Sequence, residues 1–180
     1  MSSDATIPAV TAPALEIFEE IWRRHGHRCP MSTLGGRLGH AARRRLAEVD
    51  GANLRASYGI ATCAVDGIVV TTGCREGAGT LTVEDGGRHQ LVLYDLVSGS
   101  AVSVEIRPEA LALAGEYRRL DAALEQERGS LAAVELARRL EEKERVLDVL
   151  LPKLRTLPEE ELLLVRPLDG PVAWAEGVDR

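Results

Sequence analysis

The sequence predicts an α+β fold, and three features of its pattern carry that expectation. Apolar residues recur with helical spacing before about residue 50 and again after Pro108. Between Thr80 and Ile106 the period changes to two, with glycine-containing turns at Asp85-Gly86-Gly87 and Ser98-Gly99. Helical and strand segments are thus grouped rather than strictly alternating, which favours helices packed on an antiparallel sheet over a doubly wound fold.

In chain order, residues 1–12 are small and polar with Pro8, and are expected to be flexible. A first helix is expected from Pro13 to Arg24, with Leu15, Phe18, Ile21 and Trp22 on one stripe. A second, from Met31 to Val49, turns Leu34, Leu38, Ala41, Ala42 and Leu46 inward. Gly35, Gly36 and Gly39 weaken that helix by about 1 kcal/mol each relative to alanine. They point either to a close approach by another backbone or a ligand, or to an irregular first turn.

Asp50 to Asn53 reads as a turn, and a short strand follows from Ser57 to Thr62, ending at Cys63. Val65 to Val70 is apolar and short, a strand or a helix by pattern alone. A glycine-rich loop spans Gly73 to Gly79. Three strands then read as an antiparallel meander: Leu81 and Val83, then His89 to Tyr94, then Val102, Val104 and Ile106.

Beyond Pro108, Leu113, Tyr117, Leu120 and Leu124 form one helical stripe. After a break at Gly129-Ser130, Leu136, Leu140, Leu147, Leu151 and Leu154 form a second. These two helices are expected to form a hairpin against the sheet or a second protomer, and Glu161 to Pro167 reads as a last strand. The expected organisation is a core over residues 13–107, followed by the helical hairpin and final strand over 108–180. The leucine stripes offer more apolar surface than one small sheet covers, so a homodimer is expected.

Hydrophobic residues make up 45% of the 180 and charged residues 28%, as in an ordinary globular protein. A net charge of −6 and 3% aromatics argue against a nucleic-acid partner, which would require a basic face and stacking platforms. Arg43-Arg44-Arg45 reads as a solvated helix face. No stretch approaches the roughly 18 apolar residues of a membrane span, and the N-terminal residues lack the features of a secretory signal. Three cysteines without small-scaffold spacing imply free or metal-bound thiols, and hence a cytoplasmic setting.

The chemistry concentrates in His25-Gly-His-Arg-Cys-Pro-Met31, which places two imidazoles and a thiol within five residues between two helices. Cys29 precedes the proline that opens the second helix, where unpaired N–H groups and the helix dipole favour a thiolate. Cys63, Asp66 and Cys74 are the other candidates. Read alone, each has a plainer role: Cys63 as core, Asp66 as a helix cap, the two histidines as solvent-facing. The spacing matches no zinc-ribbon or zinc-finger pattern, so the fold must assemble any site from separate segments. His40 and His89 read as structural.

HGHRCP, then CAVDGIVVTTGCREGAGTL, then GGRHQL, in this order, resemble the FmdE family of formylmethanofuran dehydrogenase proteins. Its members carry an HGHxCPG stretch, a Cys-x-x-Asp-(Ala/Gly)-Ile segment and a Thr-Gly-Cys-Thr-x-Gly loop. The resemblance spans roughly Phe18 to Ile106 and implies a core of helix, strand, helix and three antiparallel strands, which makes Val65 to Val70 helical. It carries over to His25, Gly26, His27, Cys29 and Pro30, to Cys63, Asp66 and Ile68, and to Thr72, Gly73, Cys74 and Gly77. Met31 and Arg75 depart from the family's Gly and Thr, and no cysteine after Cys74 is present to build the zinc module that many relatives append.

The resulting expectation is a metal-binding protein, accessory to a larger enzyme or standing alone, with zinc as the ion that thiolate and imidazole donors suit best. His27, Cys63 and Cys74 are the expected first ligands. His25 belongs to the metal set directly or, with Asp66, from behind. Cys29 is a fourth ligand or a reactive thiol, and Asp66 is a proton carrier if there is a reaction. Two alternatives stand beside this one: a metal-dependent enzyme acting on a small molecule, and a thiol-redox or metal-sensing module.

Overall fold

The computed structural model describes residues 12–168. The expected flexible N-terminus falls, up to residue 11, outside the described residues. The α+β class holds: helices cover a five-stranded sheet in the order β2-β1-β3-β4-β5.

Helix α1 (Leu15–His25) buries Phe18 and Ile21, and α2 (Pro30–Arg45) follows after a four-residue turn. Strand β1 (Leu54–Tyr58) buries Leu54, Ala56 and Tyr58 on one face by strict alternation. It lies a few residues earlier than the pattern places it, because Gly59 to Thr62 are used to turn the chain into α3 (Ala64–Thr72). Strands β2 (Leu81–Val83), β3 (Gln90–Asp95) and β4 (Ala101–Ile106) complete the central part.

The expected meander holds for β3 and β4, but not for β2. Asp85-Gly86-Gly87 does not join neighbouring strands, because β1 lies between β2 and β3, parallel to the first and antiparallel to the second. The turn instead wraps the end of β1: the N–H groups of Gly86 and Arg88 donate to the Gly59 carbonyl at 3.0 and 3.2 Å, and Glu84 N–H donates to the Tyr58 carbonyl at 2.7 Å. Strand β1 thereby gains partners on both edges.

A short α4 (Pro108–Leu113) leads into α5 (Gly115–Glu127) and the 24-residue α6 (Ala133–Thr156). A single turn, α7 (Glu159–Leu162), then delivers β5 (Leu163–Leu168) to the edge of the sheet beside β4. Only the second half of the leucine stripe on α6 reaches the core. Leu147, Leu151 and Leu154 are buried with Leu34 and Leu38 of α2, whereas Leu140 is 39% exposed. Arg37 of α2 is itself buried. Its guanidinium donates to the Leu154 and Arg155 carbonyls at 2.8 Å each and to the Leu157 carbonyl at 2.7 Å, capping α6 where helical carbonyls run out of partners.

The glycines of α2 have a definite use. A Cβ on Gly35 would fall on the Ala64 carbonyl of α3, and one on Gly67 would fall on the Gly36 amide and Ser32 carbonyl of α2. The two backbones touch there, which settles the choice left open by the sequence in favour of a close approach by another backbone. The contact presses the start of α3 against the start of α2, and the functional residues lie at both starts.

Candidate metal centre

The last turn of α1 ends at His25, and Gly26 closes it in a left-handed conformation (φ 94°), its N–H donating to the Trp22 carbonyl at 2.8 Å. This reversal brings His27 back beside His25, with ring centroids 4.4 Å apart. Cys29 then occupies the N-cap of α2 with extended backbone, and Pro30 takes the first helical position, where its missing N–H costs nothing. The hydroxyls of Ser32 and Thr33 donate to the Cys29 carbonyl at 3.0 and 2.8 Å, and Trp22 Nε1 donates to Thr33 Oγ1 at 3.0 Å, tying α1 to this turn.

Donor atoms of His25, His27 and Cys29 all lie within 4.8 Å of one another. Asp66, on the first turn of α3, faces this group from behind. It accepts from His25 Nδ1 at 2.9 Å and from Arg24 Nε at 3.0 Å, so it serves the neighbouring helix rather than capping its own. With Nδ1–H given to the carboxylate, His25 Nε2 is left as the lone-pair nitrogen, buried and without a hydrogen-bond partner. A carboxylate behind a histidine whose other nitrogen is free is the usual support for a metal-ligating imidazole. The residues present therefore fit a cation.

Cys63 reaches the same place from the N-cap of α3, its thiol in hydrogen-bond contact with Cys29. That contact, with the backbone N–H groups of Ser32 and Met31 and the nearby His25, draws the Cys29 thiol down to about 5 against the opposing effect of burial. The partner moves the other way: donation to Cys29 and burial hold Cys63 as the protonated thiol.

Cys74 lies elsewhere. It follows α3, whose nine residues span about 14 Å, so Cys63 and Cys74 stand at opposite ends of one helix. It is buried in the hydrophobic core, its N–H donates to Thr72 Oγ1 at 3.1 Å, and burial raises its thiol. The structure thus gathers His25, His27, Cys29, Cys63 and Asp66 together and sets Cys74 apart.

His27 is exposed and opens onto a cleft of about 530 Å³ between this turn and the α5–α6 hairpin. Two residues that sequence reasoning assigned to other roles or passed over line it. Tyr117, expected only as part of an apolar stripe, is 5% exposed and lies close enough to feel the charge of Cys29 and Cys63. Burial, above all, raises its phenol. Lys143 places its ammonium 5.3 Å from the Tyr117 ring centroid and pairs with Asp121. A tyrosine inside a leucine stripe was the available signal, because a phenol near a core needs a partner for its hydroxyl.

An α+β core with a histidine and cysteine group at a helix-to-helix turn defines a protein built to hold a cation. The FmdE family model, described as "FmdE, Molybdenum formylmethanofuran dehydrogenase operon", matches residues 24–164. The chain belongs to the FmdE family. An FmdE-like protein of tungsten formylmethanofuran dehydrogenase from Syntrophus aciditrophicus, known from a crystal structure, shares the fold with a TM-score of 0.53 at 22% identity. The match covers 88% of this chain and 76% of that one. No curated protein matches the sequence. Among the described residues no helix is long and apolar enough to cross a membrane.

Proposed function

We propose that the chain is a metal-binding FmdE-family protein, accessory to a larger enzyme or standing alone, which holds one zinc ion through His25, His27 and Cys29. Cys63 supplies a further sulfur or stands beside the ion. The observation that carries this reading is His25 Nε2, buried without a partner amid converging donors while Asp66 takes the other nitrogen. Imidazole and thiolate together suit zinc among the common divalent ions. The three cysteines are free, which fits a reducing, cytoplasmic compartment. A homodimer is part of the proposal, because Val134 and Val149 stand out from α6 at 84% and 75% exposure.

Metal analysis of the untagged protein tests the reading. About one ion per chain is expected, lost in Cys29→Ser and retained in Cys74→Ser. Folded, metal-free protein with three freely titrating thiols would overturn it. Contact between Cys29 and Cys63 also favours a second reading, a thiol-redox module in which mild oxidation joins the two sulfurs and expels the ion. A disulfide between these two residues in peptide mapping after peroxide treatment, with the metal released, would select it.

A further inference from the structure

The cleft beside the metal group has walls specific enough to imply a ligand. It is open at His27, floored by Tyr117 and bounded by Lys143 and Arg28. Its volume of about 530 Å³ lies within the range of small-molecule sites. Among the described residues Tyr117 makes no hydrogen bond, although it is 5% exposed and lines the cleft. A hydroxyl so placed needs an acceptor from outside the chain. Lys143 stands over the same ring with one of its three donor directions given to Asp121.

We propose that this cleft binds a small organic monocarboxylate, one oxygen directed toward the metal group at His27 and the other accepting from Tyr117 and Lys143. The proposal rests on the metal reading above. The carboxylates on the walls do not repel such a ligand, because each is already paired: Asp121 with Lys143, Glu144 with Arg28, Glu125 with Arg128 and Glu141 with Arg145. Four carboxylates face three fixed cations, however, so the walls hold no surplus of positive charge. That excludes phosphorylated and other polyanionic ligands and leaves room for a single negative charge.

The test uses the full chain loaded with Co(II), whose visible absorption reports changes at the ion, titrated with acetate and separately with pyrophosphate at concentrations that leave the metal in place. Acetate should change the band saturably and pyrophosphate should not. Tyr117→Phe should keep its metal content and raise the acetate half-saturation about 10-fold, as loss of one hydrogen bond to a charged group does. Lys143→Met should act in the same direction and provides a second reading should Tyr117→Phe be poorly folded. A metal-loaded protein whose band ignores acetate, or both variants titrating like the parent, overturns the ligand assignment alone. Pyrophosphate binding more tightly than acetate overturns the monocarboxylate class. A chain that takes up no Co(II) overturns the metal reading and this inference with it.

Discussion

His25 gives Nδ1 to Asp66 at 2.9 Å and keeps Nε2 buried and unpartnered, so the two residues should behave as one unit toward a cation. Asp66→Asn preserves shape but weakens the hold on the imidazole, and metal affinity should fall about 10-fold to 100-fold. His25→Ala removes the ligand itself and should lose at least as much. Competition with a chromogenic chelator measures both, and equal affinity in the parent and Asp66→Asn would remove Asp66 from the site. Acid should act through Cys29. Its thiol is drawn down to about 5, so the sulfur is anionic above that pH and takes a proton below it. Protons and metal compete for one lone pair, and metal retention in a chelator-free pH series should collapse below about pH 5. His25, His27 and Cys29 could be read from the sequence because they are contiguous. The approach of Cys63 could not, since it depends on how closely two helices pack. The distance of Cys74 is a further consequence of the helix that precedes it.

Glycines at the α2–α3 contact carry that packing. With no side chain at Gly35 or Gly67 the two backbones meet, and Cys29 and Asp66 are delivered to one spot from different elements. Gly67→Ala would drive a methyl into the Gly36 amide and the Ser32 carbonyl, neither of which can rotate away. A loss of about 1–3 kcal/mol or more is expected from such overpacking, read by denaturant unfolding. The same variant should bind metal more weakly, which a simple loss of stability would not require. Gly77→Ala, with nothing within 4 Å of its Cβ, is the control. The glycine pattern was visible in the sequence, although the element it receives was not. Strand order was hidden for a related reason. Alternation at Leu81 and Val83 fixes which face of β2 is buried, but not its neighbour, and the Asp85-Gly86-Gly87 turn is compatible with a hairpin until β1 occupies the place between.

Across the whole molecule, the α5–α6 hairpin is held to the core chiefly at one end. The N-terminal half of α6 is largely exposed and leans on α5, whereas its C-terminal half enters the core with Leu147, Leu151 and Leu154 and ends on the Arg37 guanidinium. Arg28 adds a second tie near the site, pairing with Glu144 and with Asp148 at 2.9 Å. That pair is partly exposed and contributes little to stability. Arg37 is different, since burial already disfavours its charge and three backbone carbonyls compensate. Arg37→Met keeps the aliphatic stem and leaves those carbonyls without their donor, at about 1–3 kcal/mol for each that water cannot reach. A total near 3 kcal/mol corresponds to a fall in Tm of about 6–12 °C for a chain of this size. The effect should be local before it is global. Amide exchange should quicken in α6 and β5 while α2 and α3, joined through their glycines, keep their protection. Metal content should then survive in Arg37→Met, because the ion's donors come from α1, α2 and α3, while the cleft walled by Tyr117 and Lys143 loosens. Exchange that rises uniformly across the sheet and all helices would show that the hairpin and the core unfold as one unit.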